Sequence, residues 1–428
     1  MQKYPLLFHG KFFFFFIIFL DVSQADNYCN DSIVNTSIQP PPYEYYLNNT
    51  QNWTIYELSN STGAMCSDGS NYKFYHIQGS GSGSKKFMFF FPGGGYCGYD
   101  NNDFLTSCMT RSKTFAGSSK FSGSNGSVMQ TDVSYGYFSS DDKTNPMFWN
   151  WNKILMLYCD GTLFQGYLED PINFNGSNLY FRGYNNTFAT FEYLKENMDL
   201  FDAEEIILTG SSSGGQAILM WINYIKQYLP SNIRLKGVSD GGFFIDNVNQ
   251  NSNCHLFRTH MMTIANYTNS YNLDIFQGCK YRNNTKKFYK CLIPQYFIEK
   301  IDSEMFIINS QNDFEVLRTV YGLHCLDGGL NNCSEDVNEK IVKFKQKFLK
   351  LALTLKQKKT TWGFWLRRCL EHFYIHSIAW IGNLTVYSAE SYEEQNIRQA
   401  FYQWYENGRL PSDIDVKSYE DDCPVKGK

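Results

Sequence analysis

Residues 204–228 read EEIILTGSSSGGQAILMWINYIKQY. Its first part, 204–209, is a short apolar run that ends on glycine. A short apolar run bounded by a turn signal suits a buried strand. Its last part, 214–228, reads as a helix. Between them lies Gly210-Ser211-Ser212-Ser213-Gly214, which fits G-x-S-x-G. That pattern places a serine on a tight, strained turn from strand to helix, with flanking glycines that let strand and helix approach closely. The helix N-terminus then sets positive dipole and free N–H groups beside the serine. Ser211 and Ser213 compete for the role, but only Ser212 has glycine at both −2 and +2. The competing reading is a Ser-rich turn that caps a helix.

Working outward, four more runs read as buried strands: KFMFFF (86–91), KILMLY (153–158), RLKGVSD (234–240) and EMFIINS (304–310). Residues 335–357 carry Val337, Ile341, Phe344, Phe348, Leu351 and Leu355 on one stripe with lysines opposite, the pattern of an amphipathic helix. Ser334 stands where a cap belongs. Strands alternating with helices predict an α/β fold with a mostly parallel central sheet flanked by helices. Residues 26–70 are polar, with Pro40-Pro41-Pro42, and read as an N-terminal arm. Residues 116–127 read as a Gly/Ser-rich loop.

A serine on such an elbow needs an oxyanion hole, an acid and a base. One oxyanion donor is the N–H after the nucleophile, here Ser213. The other comes from a loop after an early strand, for which Phe91-Pro92-Gly93-Gly94-Gly95 is the candidate. Loss of one such donor typically costs about 3 kcal/mol of barrier. The acid and base follow in the order Ser, Asp/Glu, His. Asp313 comes directly after the strand at 304–310 and leads; Asp240 and Glu315 are rivals. His324, His372 and His376 follow Asp313. His324 is close behind it for a separate loop, and spacing does not choose between His372 and His376.

The N-terminus and the cysteines speak for a compartment. Lys3 and Lys11, the apolar run Phe12–Leu20 and Ser23-Gln24-Ala25 read as a secretory signal peptide over 1–25. The apolar run is far short of the roughly 20 residues that span a bilayer. All 12 cysteines follow it, an even number that suggests disulfides in an oxidising compartment. The chain also has many Asn-x-Ser/Thr sequons, among them Asn60, Asn175, Asn185, Asn266, Asn283 and Asn332. Net charge is −4, so no basic field favours nucleic acid. No cofactor, metal site or membrane span is expected, and nothing demands more than a monomer. Residues 26–428 are expected to form one domain, since the candidate residues must converge.

Several ordered blocks resemble the pectin acetylesterases of plants and the related animal carboxylesterase Notum. They are FPGGGYC (91–97), CxxRxxTxxGSS (108–119), NPMFWNWNKILMLYCDG (145–161), FRG (181–183), GSSSGG (210–215), SDGGFF (239–244), IPQY (293–296), FIINSQNDFEVL (306–317) and CLEH (369–372). The resemblance implies an α/β-hydrolase-like fold and a carboxylic ester hydrolase with Ser212, Asp313 and His372 as its catalytic residues. It selects His372 over His376 and supports Gly94, Gly95 and Ser213 as the oxyanion hole. Pro92 and Tyr96 depart from the plant pattern of Glu, three glycines and Trp, and Gly95 departs from a Trp of Notum. Asn312, Phe314, Glu315 and Val316 depart from the Tyr and Trp-Gln of the acid segment. The departures bear on specificity.

The resemblance favours a short acyl group on a polysaccharide; the alternatives are a fatty acyl group on a secreted protein, a silent glycan-binding relative, and a peptidase. Cys97 and Cys369 lie close to Gly95 and His372, so disulfides are expected to brace the site. Asp160 and Arg182 are candidates for a buried structural pair. The lysine face of 335–357, with Lys343, Lys347 and Lys350, is either a polyanion surface or a solvated face.

Overall fold

The structure, a computed structural model, describes residues 53–99, 103–121, 136–328, 332–374, 385–387, 394–407 and 413–414. The signal sequence, Cys29, Cys423 and His376 lie outside them. One sheet is built from β1 (Thr54–Glu57), β2 (Lys73–Ile77), β3 (Lys86–Phe91), β4 (Asn152–Met156), β5 (Glu205–Ser211), β6 (Arg234–Asp240), β7 (Glu304–Ser310), β8 (Gly363–Arg367) and β9 (Asp413–Ile414). Their spatial order is β1-β2-β4-β3-β5-β6-β7-β8-β9. β2 pairs antiparallel with β1 and β4. From β4 to β9 every described pairing is parallel.

Parallel strands covered on both faces read as continuous apolar runs, and β3 shows why. Phe87, Phe89 and Phe91 enter one core, and Met88 and Phe90 enter the core on the opposite face. In β5, Ile206 and Leu208 join the first core and Ile207 the second.

Helices cover both faces. They are α1 (Phe104–Ser112), α2 (Gly183–Asn197), α3 (Ser213–Tyr228), α4 (Leu256–Tyr267), α5 (Glu335–Lys358) and α6 (Ile397–Asn407). α3 buries Ala217, Ile218, Trp221, Ile222 and Ile225 in the first core. α6 presents Ile397, Ala400, Phe401 and Trp404 to the second, with Phe401 and Trp404 against Phe306 at 5.1 and 5.3 Å.

The expected architecture is present, with local differences. Residues 53–70, the described part of the expected N-terminal arm, include a short strand and pack onto the sheet: β1 pairs with β2, Trp53 and Leu58 are buried, and Cys66 is bonded to Cys159. The strand read at 153–158 ends at Met156, and Leu157, Tyr158 and Cys159 stay buried in the loop beyond it. In α5 the buried stripe is Ile341, Phe344, Phe348, Ala352 and Leu355. Ser334 sits at the cap but makes no side-chain cap bond.

Lys347 leaves the supposed lysine face. Its Nζ donates to the Asp246 carbonyl at 2.5 Å and to Asn247 Oδ1 at 2.6 Å. Further disulfides join Cys97 to Cys108, Cys279 to Cys291 and Cys325 to Cys333, and Cys254 and Cys369 are also disulfide-bonded. Of the sequons, Asn60, Asn175, Asn266, Asn283 and Asn332 are exposed and Asn185 is half-buried. No helix among the described residues is long and apolar enough to cross a membrane.

Candidate active site

The junction of β5 and α3 is a strained elbow. Ser212 has φ +54° and ψ −123°, a region that a non-glycine residue occupies only when its surroundings enforce it. They do so here. The Ser212 amide donates to the Asp240 carbonyl at 2.8 Å, and its carbonyl accepts from the Gln216 amide at 2.9 Å. A Cβ on Gly210 would lie 2.4 Å from the Gly214 carbonyl oxygen, and one on Gly214 would lie 1.9 Å from the Phe91 carbonyl oxygen. Both glycines are therefore required by backbone packing around the serine.

His372 completes a line of three side chains. Its Nε2 is 2.7 Å from Ser212 Oγ, and its Nδ1 is 2.9 Å from each Asp313 carboxylate oxygen. Both residues are buried. The Val316 amide donates to Asp313 Oδ1 at 3.1 Å. The segment before Asp313 is stitched to the segment before His372. The Gln311 amide donates to the Arg367 carbonyl at 2.7 Å, Gln311 Nε2 to the Leu366 carbonyl at 2.9 Å, and Asn312 Nδ2 to the Arg368 carbonyl at 2.8 Å. These bonds bring two segments of distant sequence into one register.

Burial alone would lower the His372 pKa. The charge and hydrogen bond of Asp313 oppose this, helped by Glu315 and Asp240, and the net shift is upward. Burial pushes the Asp313 carboxyl above its ordinary value, and His372 and the Val316 amide pull it back.

The rivals have other work. Asp240 Oδ2 accepts from the Tyr374 amide at 2.6 Å, so Asp240 holds the histidine segment rather than the imidazole. Glu315 accepts from the Tyr99 hydroxyl at 2.8 Å. His324 is exposed. His255 Nδ1 is 2.8 Å from Asp246, and His260 Nδ1 is 3.1 Å from the Tyr96 hydroxyl. Asp160 accepts from the amide and hydroxyl of Thr162, whereas Arg182 donates to the Glu169 carbonyl and stacks on Tyr167. Asp160 and Arg182 thus engage separate groups.

The glycine loop after β3 stands beside the elbow, with Ser213 opening α3. Gly93, which the sequence did not single out, makes the close approach: its Cβ would lie 2.8 Å from Ser212 Cβ. The carbonyls of Gly94 and Gly95 are held by Arg111 Nη2 at 2.8 Å and the Tyr158 hydroxyl at 2.6 Å. The Gly94 carbonyl shares its peptide plane with the Gly95 N–H, one of the expected donors, so Arg111 fixes that plane, and Tyr158 fixes the one that follows. Cys97, two residues on, is tied to Cys108 of α1. Arg111 and Tyr158 were visible only as members of the blocks at 108–119 and 145–161. Among the described residues no group of three or more His, Cys, Asp or Glu is placed to hold a metal ion.

Comparison with known proteins supplies the family. The family model described as pectinacetylesterase matches residues 47–424. The chain belongs to the pectinacetylesterase family. Pectin acetylesterase 5 of Arabidopsis thaliana is 35% identical over 260 residues, covering 60% of this chain and 56% of that protein. Pectin acetylesterase 4 of the same plant is 33% identical, covering 59% and 57%. The match thus spans little more than half the length of either plant relative. Palmitoleoyl-protein carboxylesterase NOTUM of Schmidtea mediterranea is 26% identical over 88% of this chain and 67% of its own length. Among solved structures, the Wnt deacylase Notum from Drosophila superposes with a TM-score of 0.68 over 85% of this chain and 97% of that one, at 19% identity. This pectinacetylesterase-family chain therefore has the α/β-hydrolase-like fold that its sequence predicted.

Proposed function

We propose that this chain is a secreted, single-domain serine carboxylesterase that removes short acyl groups, acetyl first among them, from an O-acylated polysaccharide. One observation carries the reading: Ser212 Oγ, His372 and Asp313 form a continuous hydrogen-bonded line at a strained strand-to-helix turn. Family membership supports ester chemistry, and the plant relatives named as pectin acetylesterases support the acetylated glycan. The disulfides suit an oxidising compartment.

In this mechanism His372 takes the Ser212 hydroxyl proton as Oγ attacks the ester carbonyl. Asp313 holds the imidazole in the required orientation and stabilises the imidazolium that forms. The N–H groups of Ser213, Gly94 and Gly95 receive the oxyanion. Collapse of the tetrahedral species expels the alcohol, which takes the proton from His372 and leaves the acyl group on Ser212. Water, deprotonated by His372, then attacks the acyl-enzyme, releases the acid and restores Ser212.

The test is an acyl chain-length profile on nitrophenyl esters for the parent and for Ser212→Ala. The parent should prefer acetyl over octanoyl, and Ser212→Ala should lose turnover while remaining folded. A folded Ser212→Ala protein with full activity would sink the serine mechanism. A strong octanoyl preference would replace the acetyl reading with that of a fatty-acyl hydrolase.

A further inference from the structure

Tyr99 and Glu315 stand beside this machinery, and no step of the mechanism above passes through either. Tyr99 follows the three glycines, and its ring is 3.3 Å from where a Cβ on Gly95 would sit. Its hydroxyl donates to Glu315 Oε2 at 2.8 Å and lies 2.8 Å from Thr319 Oγ1. Glu315 is two residues past Asp313, at the start of the helical turn Val316–Val320. The contact thus spans the glycine loop after β3 and the acid loop after β7.

We propose that Tyr99 and Glu315 are positioning residues: their hydrogen bond fastens the glycine loop to the acid loop, and the Glu315 carboxylate acts on His372 through its charge. The inference rests on the serine-esterase reading above.

The mechanical half follows from the loop's composition. Three consecutive glycines form the most conformationally free backbone a chain can have, yet oxyanion donors must be preorganised. Arg111, Tyr158 and the Cys97–Cys108 bond hold this loop from the side of α1 and β4. Tyr99 supplies the hold from the side of Asp313. Burial, with Glu315 beside it, pushes the Tyr99 phenol well above its ordinary value, so it remains a donor.

The electrostatic half follows from the carboxylates around His372. Asp313 bonds its Nδ1, and Asp240, closing β6, bonds the Tyr374 amide and acts on the ring only through its charge. On the histidine's own segment, Glu371 gives its carbonyl to the Phe314 amide, and Phe244 presents only a ring, 6.3 Å away. Asp313 and Asp240 are buried and committed to these bonds, whereas Glu315 is half-buried. Its charge is the one that can be removed while its hydrogen bond is kept, and it favours the imidazolium.

The experiment measures kcat and KM for nitrophenyl acetate across pH in Glu315→Gln, Tyr99→Phe and Ser212→Ala. Glutamine still accepts from Tyr99 but carries no charge. The acid limb of kcat/KM should move about half a pH unit lower, the order expected of one carboxylate acting through partly hydrated protein, with plateau kcat kept. Tyr99→Phe keeps the charge and breaks the strut: kcat should fall about tenfold, with KM and the limb kept. An unmoved limb in Glu315→Gln, or parent kcat in Tyr99→Phe, overturns the proposal. If Tyr99→Phe does not fold, the Glu315→Gln limb decides. Activity retained in Ser212→Ala would instead refute the serine mechanism, whatever the other two show.

Discussion

Replacing Gly93 by alanine adds one methyl group where the glycine loop touches the elbow. The new carbon would stand 2.8 Å from Ser212 Cβ, 3.0 Å from the Ser211 carbonyl oxygen and 3.5 Å from Ser212 Oγ. Carbon atoms rest at about 3.5–4.0 Å, so the first contact is roughly 1 Å too close. Gly93 lies outside the left-handed region, and alanine meets no backbone penalty there. The conflict is purely steric, and neither neighbour yields easily. Ser211 belongs to β5 and is paired with Asp240 of β6, while Ser212 is bonded at both its amide and its carbonyl.

Overpacking of this kind costs about 1–3 kcal/mol. Relief requires the glycine loop or Ser212 to move by several tenths of an ångström, which would misplace the proposed nucleophile against its proposed oxyanion donors. If that strain appears in the transition state, at about 1.36 kcal/mol per tenfold, kcat/KM falls about 5- to 150-fold. The loss should lie in kcat, because the oxyanion exists only after attack. The assay is steady-state hydrolysis of nitrophenyl acetate, with thermal melting to show that the variant is folded. Gly278→Ala is the control, since a Cβ there meets open space. A folded Gly93→Ala enzyme with parent kcat/KM would refute the placement of the loop against Ser212.

The pH profile of the parent gives a second test. In the proposed mechanism His372 must be neutral to act as base, and it is held above its ordinary value of 6.5, so kcat/KM should rise with pH through a midpoint above 6.5; a lower midpoint refutes the coupling to Asp313. The linked stability has the opposite sign: a raised histidine pKa stabilises the fold below 6.5, and that contribution is lost as pH rises through the folded value. Removing the Cys97–Cys108 bond by Cys97→Ser with Cys108→Ser should lower activity before global unfolding, at a stability cost of about 3 kcal/mol for so short a loop. Activity that persists up to the global melt would count against a bracing role.

The sequence carried the strands and the elbow because burial on two faces and backbone contact leave few residue choices. After Lys86, KFMFFF has no polar position since its alternate residues feed opposite cores. Gly210 and Gly214 are glycine since a side chain would strike main chain. What the sequence withheld depends on packing between distant segments. Gly93 looked like one of three equivalent glycines until the loop was docked on Ser212. Lys347 looked like its neighbours Lys343 and Lys350 until α5 turned it onto the Asp246 carbonyl. The choice between Asp240 and Asp313 was open because both end a strand of the same sheet.

The strand order explains why those two carboxylates divide their labour. In a parallel sheet the C-terminal ends share one edge, and functional groups collect there. Along that edge stand the glycine loop after β3, Ser212 after β5, Asp240 closing β6, Asp313 after β7 and His372 after β8. Asp240 thus lies between the serine and the acid. Its carbonyl fixes the Ser212 amide and its carboxylate fixes the Tyr374 amide, two residues past His372. Asp313, one strand further on, is stitched by Gln311 and Asn312 to the chain leaving β8, and so meets the imidazole on the nitrogen opposite the serine. A carboxylate at the end of β6 sets the spacing of the elbow and the histidine segment, and one at the end of β7 meets the ring; the order of adjacent strands assigns the two tasks.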